Sequence, residues 1–270
     1  MSRSDLVVGN HDGAQQKGNI MSDKVYRHGH FVWRELTSTD LGKARAFYPA
    51  LFGWTLSDMP MPNGTYTIIK NGEKQIGGMM GTPPGAPPMS YWTSYASVKD
   101  IDAVIRETTE RGGKVLMGPH TAENVGRFGI LADPAGAVVA AITQEHGDGA
   151  ASMPGVHEFV WESLNTHDAA RATPFYEKVL GLTAKTENGM TTLHAADGMV
   201  ADVGVAPPGM PSHWVTHVAV EKLEHSRGLV EKLGGKVVMP EIQVPGYGRL
   251  AIVQDPAGAF FSIFEPAPRA

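Results

Sequence analysis

Two stretches of the chain are nearly the same text. Phe31-Val32-Trp33 opens a run that continues through Asp40, Phe47, Tyr48 and Gly53, and Phe159-Val160-Trp161 opens a second through Asp168, Phe175, Tyr176 and Gly181 at one constant offset. A second matched pair follows. Gly112-Gly113-Lys114-Val115 recurs as Gly234-Gly235-Lys236-Val237, and Arg127 with Asp133-Pro134-Ala135-Gly136-Ala137 recurs as Arg249 with Asp255-Pro256-Ala257-Gly258-Ala259. An internal duplication of this length fixes the architecture before any single residue is interpreted. It also supplies an internal control: a position polar in one copy and apolar in the other does not perform the same chemistry twice.

At 270 residues the chain accommodates two domains of about 120 residues, each large enough to bury its own core. The formal net charge of −5 gives no general attraction to nucleic acid or to an anionic membrane. No apolar run approaches the roughly 18–20 residues needed to span a bilayer. Cysteine is absent, which removes disulfides, thiol nucleophiles and thiolate ligands and fits a cytoplasmic protein. Residues 1–24 are polar and read as a disordered lead-in.

Local patterns define each copy. Residues 25–37 read as a strand. Asp40 is an N-cap for a helix running to Phe52, with Leu41, Ala44, Tyr48 and Leu51 on one face and Gly53 as the left-handed terminator. Pro49 and Pro174 lie inside the two matched helices and are expected to bend them. Tyr66–Lys70 and Gln75–Met80 are strands joined by Asn71-Gly72. The pattern restarts at Tyr91–Val98 with a helix on Ile101, Val104, Ile105 and Thr108, then strands at Val115–Met117, Gly129–Leu131 and Val138–Ile142. The predicted class is α+β: a glyoxalase-like domain over 25–145, a linker over 146–154 and a second such domain over 155–266. Each domain consists of two paired βαβββ modules that curve into a cup, whose concave face is the natural ligand site.

The strand followed by Thr39-Asp40, the helix ending Phe47-Tyr48…Leu51-Phe52-Gly53, and the repeated Asp-Pro-Ala-Gly turn before each last strand resemble the vicinal-oxygen-chelate superfamily. Glyoxalase I, extradiol dioxygenases and bleomycin resistance proteins are members. More narrowly, the duplicated Phe-Val-Trp segment is similar to two-domain bacterial glyoxalase-like proteins often labelled hydroxylases. The resemblance implies metal ligands at particular places: a His seven residues before the capping Asp, a His opening the next module, and a Glu seven residues after the turn Asp. The matching residues are Trp33, Thr93 and Ala140 in the first domain and Trp161, Val215 and Ser262 in the second. None of these supplies the imidazoles and carboxylate that hold a divalent metal, so no cofactor is expected.

Trp33 and Trp161 are expected to face the cups, with Val32 and Leu36 on the helix side, either as core aromatics filling the metal's space or as flat walls for a ligand. Glu35 shares Trp33's face, where burial would raise its pKa and suit a general base; a solvated or Arg-paired Glu is the plainer reading, and the second copy has Ser163. Tyr95 and His217 are matched, and His217 could act as acid or base or serve as a hydrogen-bonded structural residue. Asp202, His194 and His217 could cluster in the second cup. Arg127 and Arg249 are either scaffold or clamps for a ligand anion. The expected function is binding of a small organic molecule in Trp-lined cups without the family's metal, by a monomer or homodimer. The alternative is a glyoxalase-like lyase, isomerase or oxygenase using an atypical metal site or Glu35 as base.

Overall fold

The computed structural model describes residues 24–61, 64–150 and 152–268; the expected lead-in over 1–24 lies outside these apart from Lys24. The first domain runs β1 (Phe31–Ser38), α1 (Leu41–Phe52), β2 (Thr55–Met61), β3 (Gly64–Asn71), β4 (Lys74–Gly81), β5 (Tyr91–Ser97), α2 (Ile101–Glu110), β6 (Lys114–Ala122), β7 (Gly126–Ala132) and β8 (Val138–Gln144). The second repeats it as β9 (Phe159–Thr166), α3 (Ala169–Val179), β10 (Thr183–Glu187), β11 (Met190–Ala195), β12 (Gly198–Val205), β13 (His213–Ala219), α4 (Leu223–Lys232), β14 (Lys236–Val244), β15 (Gly248–Gln254) and β16 (Phe260–Pro266).

Each domain is one eight-stranded mixed sheet, in the orders β2-β3-β4-β1-β5-β8-β7-β6 and β10-β11-β12-β9-β13-β16-β15-β14. The antiparallel seams β1–β5 and β9–β13 join the two βαβββ modules of each sheet. The helix signals act as expected. The Asp40 side chain accepts from Lys43 N at 3.0 Å, and Gly53 closes α1 with φ 71°. Pro49 sits within α1, yet the helix is continuous from Leu41 to Phe52, and Pro49 O accepts the closing bond from Gly53 N. Among the described residues no helix is long and apolar enough to cross a membrane.

A bulge in β1 corrects one expected orientation. The register steps from Phe31 opposite Ala96 to Trp33 opposite Tyr95, so Val32 is the extra residue. Phe31 and Leu36 therefore face the helix side, while Val32 packs with Trp33 on the cup side. A two-for-one bulge shifts the alternation by one residue, which simple periodicity does not register.

The domains do not bury separate cores. One cluster joins Leu36, Phe47, Tyr48 and Phe52 of the first domain to Val218, Val230, Val253 and Phe261 of the second. The other joins Ala96, Val104, Leu131 and Val139 to Leu164, Phe175, Tyr176 and Leu193. The sheets lie back to back through their helix sides, and the cups face outward. The repeated glycines serve this contact: a Cβ on Gly113 would stand 2.6 Å from the Phe175 ring, and one on Gly235 3.1 Å from that of Phe47. The Asp-Pro turns serve it too. Asp255 takes backbone bonds from Ala257 and Ala259 and a 3.0 Å bond from the Tyr48 hydroxyl of the other domain.

At the centre of the interface matched positions meet. Arg34 Nε donates to Glu162 Oε1 at 2.8 Å, with the Glu162 side chain fully buried. Ser94 and its counterpart Thr216 complete the carboxylate's shell at 2.8 and 3.1 Å. Burial pushes the Glu162 pKa up, with Arg34 opposing it. The segment after β8 is also anchored, since Asp148 Oδ2 accepts from Arg27 N and from Ser97 Oγ, both at 2.5 Å.

Candidate functional site: two unequal cups

Strand alternation carries Trp33 and Glu35 on β1, and Trp161 and Ser163 on β9, into their cups. In the first cup Trp33 packs with Tyr95, Phe128, Ile130 and Ile142. The Trp33 indole donates to the Tyr66 hydroxyl at 2.9 Å, and the Tyr95 hydroxyl donates to Glu35 Oε1 at 3.1 Å. The Tyr66 hydroxyl lies against the same carboxylate. Burial raises the Glu35 pKa, and the two phenols oppose that rise by bonding the ionised form.

Tyr66 reaches this position because Gly78, the cross-strand partner of Glu35, has no side chain. A Cβ there would fall 2.1 Å from the Tyr66 oxygen and 2.4 Å from the ring carbon bearing it. Gly78→Ala is therefore expected to destabilise the protein by about 1–3 kcal/mol through overpacking. The cost should shrink in a Tyr66→Met background, as measured by urea denaturation; equal costs in both backgrounds would disprove the contact.

The second cup uses the same positions differently. Register pairs Ser163 with Asp202, as it pairs Glu35 with Gly78. The carboxylate has thus moved from the central strand to its neighbour. The Trp161 indole and the Ser163 hydroxyl both donate to Asp202 Oδ1 at 2.5 Å. Ser163 Oγ lies 2.9 Å from His217 Nε2. Its one proton is committed to Asp202, so Nε2 must carry the proton it shares with Ser163. Burial holds the His217 pKa down at about 3, so the ring is neutral at pH 7. Burial raises the Asp202 pKa against the bonds from Ser163 and Trp161.

Above this floor lies a cavity of about 290 Å³ lined by Trp161, Asp202, His217, Tyr247, Ile252 and Phe264, among others. That size is at the lower edge of small-molecule sites, roughly 300–1,000 Å³. The Trp161 and Tyr247 rings pack against each other, tilted by 50° with centroids 5.9 Å apart.

Several expected site residues lie elsewhere. Arg127 pairs with Asp102 at the start of α2 at 2.6 Å. Arg249 pairs with Glu224 at the start of α4 and with Glu265. Arg249 shares the helix-side face of β15 with Ala251 and Val253, both in the interdomain core. These arginines brace helices on the convex side and do not reach a cup ligand. His194 bonds Thr192 at 2.9 Å and does not join the Asp202–His217 cluster; Ser163 takes that place. Tyr66 and Tyr247 escaped the sequence reading because their counterparts across the repeat, Met190 and Val125, are apolar and show no pattern.

The donor set does not fit the family's divalent metal. Trp33, Thr93 and Ala140, like Trp161, Val215 and Ser262, offer no imidazole or carboxylate. Among the described residues no group of three or more His, Asp or Glu converges. The first cup has one carboxylate among phenols, and the second has a carboxylate and an imidazole on opposite sides of a serine.

Paired βαβββ modules closing into outward cups define a vicinal-oxygen-chelate protein. The chain belongs to the Glyoxalase/Bleomycin resistance protein/Dioxygenase superfamily, whose profile matches residues 27–140 and 155–263. It is 33% identical over 254 residues to the "Putative glyoxylase CFP32" of Mycobacterium tuberculosis (strain CDC 1551 / Oshkosh), covering 90% of this chain and 97% of that one. It is 32% identical over 257 residues to the "Anthracycline biosynthesis protein DnrV" of Streptomyces peucetius, covering 87% and 92%. Among solved structures, the Mn(II)-bound glyoxalase of Novosphingobium aromaticivorans superposes with TM-score 0.62 at 13% identity over 89% of this chain and 83% of that one. The 2,3-dioxygenase LapB of Pseudomonas sp. KL28 gives 0.61 at 13% over 92% and 94%. At such identities these two structures speak for the fold alone.

Proposed function

We propose that the protein binds a small aromatic organic molecule in its second cup, independently of a divalent metal. The observation that carries this reading is the Trp161/Tyr247-lined cavity with one short polar strip on its floor. Apolar walls with a few placed polar groups are the usual build of a small-molecule site. The similarity to a protein named for anthracycline biosynthesis favours an aromatic ligand. The first cup is the stabilising partner, with its carboxylate closed off by two tyrosines.

A thermal-shift and fluorescence screen with mono- and bicyclic aromatic compounds tests this. Trp161→Ala is expected to weaken any ligand found by about 30-fold or more, the scale of losing a buried aromatic anchor, and Trp33→Ala to leave affinity unchanged. The reverse pattern would place the ligand in the first cup. Stoichiometric metal in protein purified without a His tag, removable by chelator with loss of binding, would overturn the metal-independent part.

The raised Glu35 pKa favours a second reading, proton transfer in the first cup. It requires hemithioacetal isomerisation by the wild type and its loss in Glu35→Gln; an inactive wild type argues against it.

A further inference from the structure

The two cups treat their carboxylates differently, and the difference specifies a ligand class. Glu35 accepts from the Tyr95 hydroxyl at Oε1 and has the Tyr66 hydroxyl beside it. In the second cup the matching positions hold His217, whose Nε2 bonds Ser163, and Met190, which has no proton to give. The two side-chain donors that reach Asp202, the Trp161 indole and the Ser163 hydroxyl, both land on Oδ1, and its own backbone N–H also favours the ionised form. Among the described residues no other side chain bonds Oδ2, and Asp202 lines the cavity. Among the described residues no Lys or Arg lines it, and His217 is neutral.

A carboxylate in an apolar cavity without a counter-charge is costly, and the cost is relieved by a partner that brings one. An anionic ligand would deepen the imbalance. We infer that the second cup selects an aromatic amine, its ammonium on Asp202 Oδ2 and its ring against Trp161 and Tyr247. Aromatic walls suit a cation as well as a ring. This rests on the binding role proposed above and adds the charge of the ligand to it.

The test is a matched series on the wild-type protein: tryptamine, its alcohol analogue tryptophol and indole-3-acetate, with the phenyl counterparts 2-phenylethylamine, 2-phenylethanol and phenylacetate. These are titrated by calorimetry and by tryptophan fluorescence where the probe permits. The amines are expected to bind roughly 10–100-fold more tightly than the alcohols, the range of a charge-assisted hydrogen bond, and the acids least. Asp202→Asn is expected to erase the amine preference while leaving the alcohols within a few-fold. The wild-type series stands by itself should that variant fold poorly. Alcohols that bind as well as amines, or acids that bind best, overturn the amine assignment and leave the cup as a binding site. An Asp202→Asn protein that folds and keeps the amine preference overturns it equally. If none of the six binds, the amine assignment fails, and the wider screen decides whether the cup reading fails with it.

Discussion

Arg34→Ala is expected to destabilise the protein by about 3–5 kcal/mol, because it leaves a buried carboxylate without its cation. Glu162 would keep only the bonds from Ser94 and Thr216. At about 2–4 °C per kcal/mol for a chain of this size, the melting temperature falls by roughly 6–20 °C. The loss should depend on pH. The Glu162 pKa is already raised by burial, and removing Arg34 raises it further. A folded pKa above the unfolded one means that stability is lost as pH rises from the unfolded value towards the folded one. The variant should therefore lag the wild type more at pH 8 than at pH 5.5. Replacing both residues by Met removes both charges and should cost less than Arg34→Ala alone. Urea denaturation at the two pH values checks this, and a single-variant cost below about 1 kcal/mol would mean the pair contributes no more than an exposed ion pair.

The second large effect lies in acid. The pKa of His217 falls from 6.5 in the unfolded chain to about 3 in the folded one. The neutral ring is favoured by folding, so its contribution is complete above pH 6.5 and declines as pH falls towards 3. At pH 4.5, two units below the unfolded value, the loss is about 3 kcal/mol. Glu35, Glu162 and Asp202, with raised pKa values, slope the other way, so the measurement is a difference. His217→Gln retains a hydrogen-bond donor but cannot titrate. Its stability deficit at pH 7 should shrink or reverse by pH 4.5. Parallel curves for the two proteins would show that His217 is not held neutral by burial.

The duplication made the fold readable because each motif was written twice and each signal has a local cause. Asp40 caps a helix, Gly53 ends it, and the Asp-Pro-Ala-Gly turns precede the last strands. The unequal cups were half legible. Comparing the copies singled out Glu35 against Ser163 and Tyr95 against His217. The exchange of a carboxylate between Glu35 and Asp202 was hidden, because it depends on which residue of β4 or β12 stands opposite the central strand. Arg34 and Glu162 read as ordinary strand charges, since nothing local shows that two sheets meet back to back at those residues. The bulge at Val32 was invisible for a related reason: it is set by pairing with β5, sixty residues away. What was lost in each case was a contact made across sheets or strands, where sequence neighbours carry no information.

The shared cores also govern how the chain can be made. The first domain emerges from the ribosome with the helix sides of both its modules bare. Its second module is covered once β9 to β12 arrive, because α3 and its strands complete that cluster. Its first module waits longer, for β13 to β16 and α4. At about 5–20 residues per second, the interval between the end of β8 and the arrival of β16 is roughly 6–24 s. Through that time Phe47, Phe52 and their neighbours lack the surface they pack against in the finished protein. The strand that comes last in the second domain thus completes the core that the first module begins.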